Sequence, residues 1–361
     1  MSAMNRWLDG VRVLDLSQYL PGPLATLFLA DFGAEVLKIE PPRGDDMQKL
    51  GPRDSAGRPI FYEAVNGGKT VQRMDLKDPQ ARAAFMQLVD TADVLLETFR
   101  PGVMARLGLD YAVLSARNPA LVYCSLNGYG VGGPMEQAAG HDANYLALAG
   151  VLDRNGNDGP MYFDPPIADT TGSLYAVVAI LGALRGRDRS GRGCAIDIGL
   201  ADVIHPLQTF AVADYGARGS SPSRNETYLN GGAAYYRIYA TRDGRFVVLG
   251  AVEEKFWQRF CEASGRAEWI PRHAEALPQH ALIGDLDSHF ATLTLAECEA
   301  RYGRADCCVT PVLTVGEGLD SAHCKARGLV RRSEGGQLQA LFPAYVDGVP
   351  PASRPPLKVI D

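Results

Sequence analysis

Val11-Arg-Val-Leu-Asp-Leu-Ser17, Pro23-Leu-Ala-Thr-Leu-Phe-Leu-Ala-Asp31 and Glu35-Val-Leu-Lys-Ile-Glu40 follow one another near the start of the chain. The first is a strand-like run ending in turn chemistry. The second reads as a helix opened by proline and closed near Gly33, and the third as another strand. Strand, helix and strand at this spacing predict a right-handed parallel crossover, the unit of a doubly wound sheet. Working outward, Pro79 to Asp90 is helical in pattern and Val94-Leu-Leu-Glu97 is a strand. Val103 to Leu107 and Tyr111 to Arg117 read as helices, and Leu121-Val-Tyr-Cys-Ser-Leu126 as a further strand. The first third therefore repeats β and α elements, which makes the expected fold class α/β.

Thr171 to Arg185 is rich in Ala, Leu, Val and Gly on nearly all faces, which predicts a helix buried inside a domain and starting just after Asp169. Ser190-Gly-Arg-Gly193 makes a turn before Ala195-Ile-Asp-Ile198, and a mostly apolar segment runs from Leu200 to Ala213. A chain of 361 residues exceeds the ~250–300 at which one core stops growing, so two units are expected. The boundaries read as a large domain over 1–216, a polar linker over 217–230 and a small α+β domain over 231–305. The small domain opens on a hairpin, Ala234 to Tyr239 and Arg245 to Leu249 around Thr241-Arg-Asp-Gly244. Residues 306–361 would return to complete the large domain, with Cys308 to Leu313 as a strand leading back and the tail from Pro350 wrapping over the surface.

Composition narrows the function classes. A net charge of -6 argues against a nucleic-acid partner, so an anionic ligand must find local positive charge. The start carries no secretory apolar run and no stretch reaches the ~18 apolar residues of a membrane span, so a cytoplasmic protein without a membrane partner is expected. Seven cysteines without a CxxC pair suggest neither a disulfide framework nor a zinc site, and no metal is expected.

Three segments place a titratable residue beside small residues at the edge of an expected element: Gly140-His-Asp-Ala-Asn-Tyr145, Ile167-Ala-Asp-Thr-Thr-Gly172 and Gly250-Ala-Val-Glu-Glu-Lys-Phe256. Taken singly each is weak, because a lone His is more often a hydrogen-bonded structural residue and an Asp before a helix more often its cap. Their company changes this. Leu8-Asp-Gly-Val-Arg-Val-Leu-Asp-Leu, Asp31-Phe-Gly-Ala-Glu-Val-Leu-Lys-Ile-Glu-Pro, Met74-Asp-Leu-Lys, Phe99-Arg-Pro-Gly-Val-Met, Ala139-Gly-His-Asp, Asn230-Gly-Gly-Ala-Ala-Tyr-Tyr and Cys308-Val-Thr-Pro-Val-Leu occur in this order. In these marks the chain resembles the family III CoA-transferases of CaiB/BaiF type, and more closely the α-methylacyl-CoA racemases among them.

The resemblance implies a Rossmann-like parallel-sheet large domain, a smaller domain, and a homodimer of interlocked chains. It implies an acyl-CoA thioester substrate, with coenzyme A entering as part of that substrate and no permanently bound cofactor. Asp169 matches the central carboxylate, which attacks the thioester in transferases and moves a proton in racemases. His141 and Glu253 match its racemase companions. Inverting an α-carbon needs a base on one face and an acid on the other, and Asp169 and His141 would supply them, with Glu253 orienting the imidazole. Backbone N–H groups at the start of the helix after Asp169 would hold the enolate oxygen. The resemblance also points to Lys38, Lys69, Arg100 and Arg106 near the phosphates and adenine, and to Gln18 and Thr98 near the pantetheine.

Thr170-Thr171-Gly172 is closer to the transferase style, whereas the length suits the shorter racemases, so a racemase-like isomerase and a CoA-transferase both stay open. A non-catalytic acyl-CoA scaffold has no use for three titratable groups. A dinucleotide dehydrogenase is excluded by Gln18-Tyr-Leu-Pro-Gly-Pro, which stands where GxGxxG would be needed. Tyr162, Phe163, Tyr235 and Tyr236 would line an apolar acyl pocket or belong to the core.

Overall fold

The first strand, β1 (Arg12–Leu16), is apolar at Val13, Leu14 and Leu16, and all three are buried, as a strand covered on both faces requires. Pro21 then sets the first turn of the helix Pro21–Asp31, and Gly22 lets that helix start hard against the strand end, since a Cβ there would lie 2.2 Å from Ser17 Cβ. The helix ends at Phe32 and Gly33, and the chain returns as β2 (Glu35–Glu40), parallel to β1. The computed structural model describes residues 3–360 and repeats this unit through β3 (Thr70–Arg73), β4 (Val94–Glu97), β5 (Val122–Asn127) and β6 (Ala195–Gly199).

Two units are present. The first comprises Met1–Ala149, Phe163–Leu207 and Ser321–Asp361, and the second Gly150–Tyr162 and Gln208–Asp320. The second unit contains β7 (Tyr236–Ala240), β8 (Phe246–Gly250) and β9 (Val309–Pro311), an antiparallel sheet in that order. One face of it is covered by helices carrying Trp257, Phe260, Leu286, Phe290 and Tyr302, which form that unit's own core. The first unit also holds an antiparallel pair, β10 (Val330–Arg332) and β11 (Leu338–Ala340), and a last strand, β12 (Lys358–Ile360). Its main sheet is wholly parallel in the order β12-β3-β2-β1-β4-β5-β6. From β1 the chain steps outward to β2 and β3, then crosses back to β4 on the other side. The carboxyl ends of β1 and β4 therefore flank the point where strand order reverses, where open α/β sheets leave a crevice.

Several expectations change. The crossing into the second unit falls at residue 208 rather than 217, and the return at 321 rather than 306. The segment Gly150–Tyr162 joins the second unit because Arg224 bonds the Asp153 carbonyl and Arg154 bonds Ser221 Oγ at 2.7 Å. The strand near Cys308 does not lead back, since β9 pairs with β8 inside the second unit. The tail does not simply cover the surface. Arg354 is buried and forks onto both oxygens of Asp31 at 2.6 and 2.7 Å, and β12 then extends the main sheet beside β3.

The apolar helix expected from residue 171 spans Ile167–Ser190 and begins before Asp169, with Pro166 at its N-cap. It is long and apolar enough to cross a membrane by length and composition, yet it packs on the helix Pro21–Asp31 and on β5 and β6. Burial is one-sided. Ala168, Ser173, Ala176, Val177, Ile180 and Leu184 face the core, whereas Leu174, Tyr175 and Val178 are exposed.

Candidate active site at the sheet reversal

The crevice at the reversal is a cleft of about 430 Å³ in the first unit, built by the segments that follow β1 and β4 and by the end of β5 with the turn after it. Gln18, Tyr19 and Pro21 come from the first, Thr98, Phe99 and Arg100 from the second, and Leu126 to Tyr129 from the third. His141, Asn144 and Tyr145 enter on the short helix Asp142–Leu148, and Asp169 on the first turn of the helix Ile167–Ser190. Two catalytic candidates, Asp169 and His141, therefore share one cleft with three of the expected coenzyme contacts, Gln18, Thr98 and Arg100.

Asp169 is held by an unusual helix start. No local side chain caps it; instead Asp142 reaches across and accepts the amides of Ala168 at 2.6 Å and Asp169 at 3.1 Å through one oxygen. This places a second carboxylate beside the first. Burial, and then the negative charge of Asp142, push the Asp169 carboxyl up to about 7. It also corrects one expectation, because the first helical N–H groups are spent on Asp142 and are not donors waiting for an enolate.

His141 ends the preceding loop with extended backbone, its amide donating to Asn144 Oδ1 at 3.0 Å, and its ring is exposed on the cleft. The loop is fixed from below. Tyr145 donates its hydroxyl to the Gly140 carbonyl at 2.7 Å and packs edge-on against Tyr129 at 5.1 Å. Gly140 is glycine for lack of room, since a Cβ would sit 2.5 Å from the Tyr129 hydroxyl. Burial, and then the Asp169 charge, push the Tyr145 hydroxyl up to about 12, so it remains a donor at neutral pH.

Glu253 lies in the second unit, exposed, at the N-cap of the helix Glu254–Ser264, where its carbonyl accepts the amides of Phe256 and Trp257. Arg106 is exposed on the helix Val103–Leu107 and does not line the cleft. Lys38 and Lys69 are corrections: both are fully buried with their ammonium groups engaged. Lys69 donates to Pro23 O, Thr26 Oγ1, Asn66 Oδ1 and Asp15 Oδ2, all within 2.8–3.1 Å, and Lys38 donates to Ser17 O and pairs with Asp45. Lys69 has no proton left for a phosphate, and Lys38, with no exposed side-chain surface, is out of a ligand's reach. Tyr235 stacks on His273 in the second unit, Tyr162 is exposed, and none of the four aromatic residues named above lines the cleft. Sequence reasoning missed Tyr129, Glu136 and Leu200 in the lining; the glycine-rich run from Gly128 to Gly133 was the available signal for the first.

The Asp142–Asp169 geometry predicts a pH effect. Asp142→Asn retains an oxygen for the helix amides and removes the neighbouring charge. The Asp169 carboxyl, followed by NMR, should titrate about half a unit to one unit lower in this variant. It should not return to the ordinary carboxylate range, because burial is the larger cause. An unmoved titration would mean that the Asp142 charge is not felt at Asp169.

Comparison with known proteins identifies the family. The profile of CoA-transferase family III matches residues 8–357. The chain is 35% identical over 332 residues to an alpha-methylacyl-CoA racemase from Homo sapiens, covering 91% of this chain and 83% of that one. It is 31% identical over 367 residues to an acetyl-CoA:oxalate CoA-transferase from Acetobacter aceti, covering 98% and 92%. A crystal structure of a CAIB/BAIF family protein from Brucella suis superposes with a TM-score of 0.85 at 29% identity, covering 97% of this chain and 96% of that one.

Proposed function

Since the chain belongs to CoA-transferase family III, we propose that it binds an acyl-CoA in the cleft and inverts the α-carbon of a 2-methylacyl group by proton transfer between Asp169 and His141. The observation that carries this reading is the Asp169 carboxyl, pushed up to about 7 on the same cleft as an imidazole. Reversible inversion asks each group to take a proton from one face and return it on the other in the reverse direction. Catalysis of this kind is best served by groups whose pKa lies near the working pH. A carboxyl near 7 is a stronger base than an ordinary aspartate and still gives its proton back. Arg100 offers charge for a phosphate, and Gln18 and Thr98 offer polar contacts along the cleft. Arg106 and Glu253 enter the proposal on the resemblance alone.

A second copy of the chain belongs to the same reading. Leu174, Tyr175 and Val178 form an exposed apolar stripe on the helix Ile167–Ser190, which an isolated chain would leave in water. Sedimentation at micromolar concentration tests it, and a monomer would remove the dimer from the proposal.

CoA transfer is the second reading, favoured by the likeness to the Acetobacter enzyme and by Thr170-Thr171-Gly172. In it the Asp169 carboxylate attacks the thioester carbonyl, and the C–S bond breaks so that coenzyme A leaves as its thiolate and the acyl group stays on Asp169 as a mixed anhydride. The thiolate then attacks the Asp169 carbonyl, releasing the first carboxylate and leaving an aspartyl-CoA thioester for the acceptor acid. The two separate in D₂O. One enantiomer of a 2-methylacyl-CoA, incubated without added carboxylate, should gain α-deuterium by NMR, and His141→Ala and Asp169→Ala should each abolish the gain. No exchange, with coenzyme A passed to an added carboxylic acid and a hydroxylamine-trappable adduct on Asp169, would replace the first reading by the second.

A further inference from the structure

We infer that Lys38 is a positioning residue for the cleft, whose buried ammonium holds the Ser17–Tyr19 turn in the strained shape that presents Gln18 and Tyr19 to the ligand; this rests on the cleft being the coenzyme site. Three successive backbone groups of the turn are engaged from beneath or beside. The Ser17 carbonyl accepts from Lys38 Nζ at 2.6 Å. The Gln18 amide donates to Thr98 Oγ1 at 3.1 Å, and the Tyr19 amide to Asp45 Oδ1 at 3.5 Å. Asp45 Oδ2 lies 3.0 Å from the Lys38 ammonium, so one buried ion pair grips the turn on both sides of Gln18.

Asp45 is itself fixed. Its Oδ1 accepts the Met47 amide at 2.9 Å, and its own amide donates to Glu40 Oε2 at 3.2 Å, while Tyr62 donates to Glu40 Oε1 at 2.7 Å. With its backbone held, the turn presents Gln18 and Tyr19 to the cleft, which both line. The grip has a conformational reason. Tyr19 has φ of +62°, a left-handed conformation that costs a bulky residue about 1–3 kcal/mol and persists only where the surroundings impose it. Here the imposing group is a lysine–aspartate pair with no exposed side-chain surface. A buried pair of this kind is poor value as a stabiliser and is better understood as a device that specifies one conformation.

The test uses the full chain. Lys38→Met alone leaves Asp45 charged and unpaired and is prone to misfold, so the working variant is Lys38→Met with Asp45→Asn, which removes both charges. In it, hydrogen exchange at the Gln18 and Tyr19 amides should speed up, and the Kd for free coenzyme A should weaken about tenfold, the scale of the strain no longer supported. The same pair of substitutions placed on Tyr19→Gly should weaken binding by less than about threefold, because glycine adopts the positive φ unaided. A merely structural pair would cost the same in both backgrounds. Unchanged exchange overturns the proposal, as does faster exchange with unchanged coenzyme A affinity. If the unsubstituted protein binds no coenzyme A but the variant still exchanges faster, the hold on the turn stands and the assignment of the cleft falls.

Discussion

Replacing Asp169 with asparagine is expected to abolish turnover and, above neutral pH, to make the folded protein more stable. The activity loss should be about 10³-fold or more, since both chemical readings of the cleft use this carboxylate. The gain in stability follows from proton linkage. An ordinary Asp ionises near pH 4, whereas folding raises Asp169 to about 7, so between these values the folded chain binds a proton that the unfolded chain has lost. Stability therefore falls as pH rises through that window, and the full cost is present above pH ~7. Asparagine carries no such cost. Allowing for partial exposure of the group, the variant should gain about 1–2 kcal/mol at pH 8 and nothing at pH 4, read from denaturant unfolding at the two values. An equal loss at both pH values would make Asp169 a structural helix residue instead.

The second large effect is on stability alone. Lys69→Met should cost about 3–5 kcal/mol at pH 7, the usual penalty for removing one member of a buried ion pair. The lysine sits between β1 and the helix Pro21–Asp31, and its removal leaves Asp15 charged in the centre of the sheet. Burial alone would raise the Asp15 carboxyl. The Lys69 and Lys38 ammonium groups, with the hydroxyls of Ser17 and Thr26, outweigh burial and hold it well below the usual carboxylate range. A carboxyl depressed in this way adds stability above the unfolded pKa of ~4 and loses it as pH falls. The deficit of Lys69→Met should therefore be widest near neutrality and narrow towards pH 3, as urea unfolding at the two pH values would show. Adding Asp15→Asn should recover part of the loss. A deficit independent of pH would point to lost packing.

The β1–helix–β2 crossover was legible because apolar period, proline and glycine all agree there, and the helices at 103–107 and 111–117 and the hairpin around Thr241 were legible on similar grounds. The strands β3 and β12 were not. Each is three or four residues long, and a strand so short is defined by the neighbour it pairs with, which for β12 lies nearly the whole chain away. That Asp169 and His141 meet on one cleft accords with what their small neighbours and the family likeness suggested. Lys38 and Lys69 were misread because a lysine beside a binding cleft and a lysine beneath it look alike in sequence, and only their burial against buried carboxylates tells them apart. Asp142 reads in sequence as a cap or a salt-bridge partner, and what sequence does not tell is that the helix it caps begins some twenty-five residues later.

The pairing of β12 with β3 bears on how the molecule is made. All residues of the second unit that follow β6 are synthesised before the partner of β3 exists, so the growing chain carries an open, hydrogen-bonding sheet edge while the inserted unit takes shape. An insertion that folds promptly, with its own core around Trp257 and Phe260, shortens the stretch of loose chain that must close before the last strand docks. A defect confined to the second unit would therefore surface first as poor yield and self-association through the first unit's uncapped edge, well before it showed as altered chemistry in the cleft.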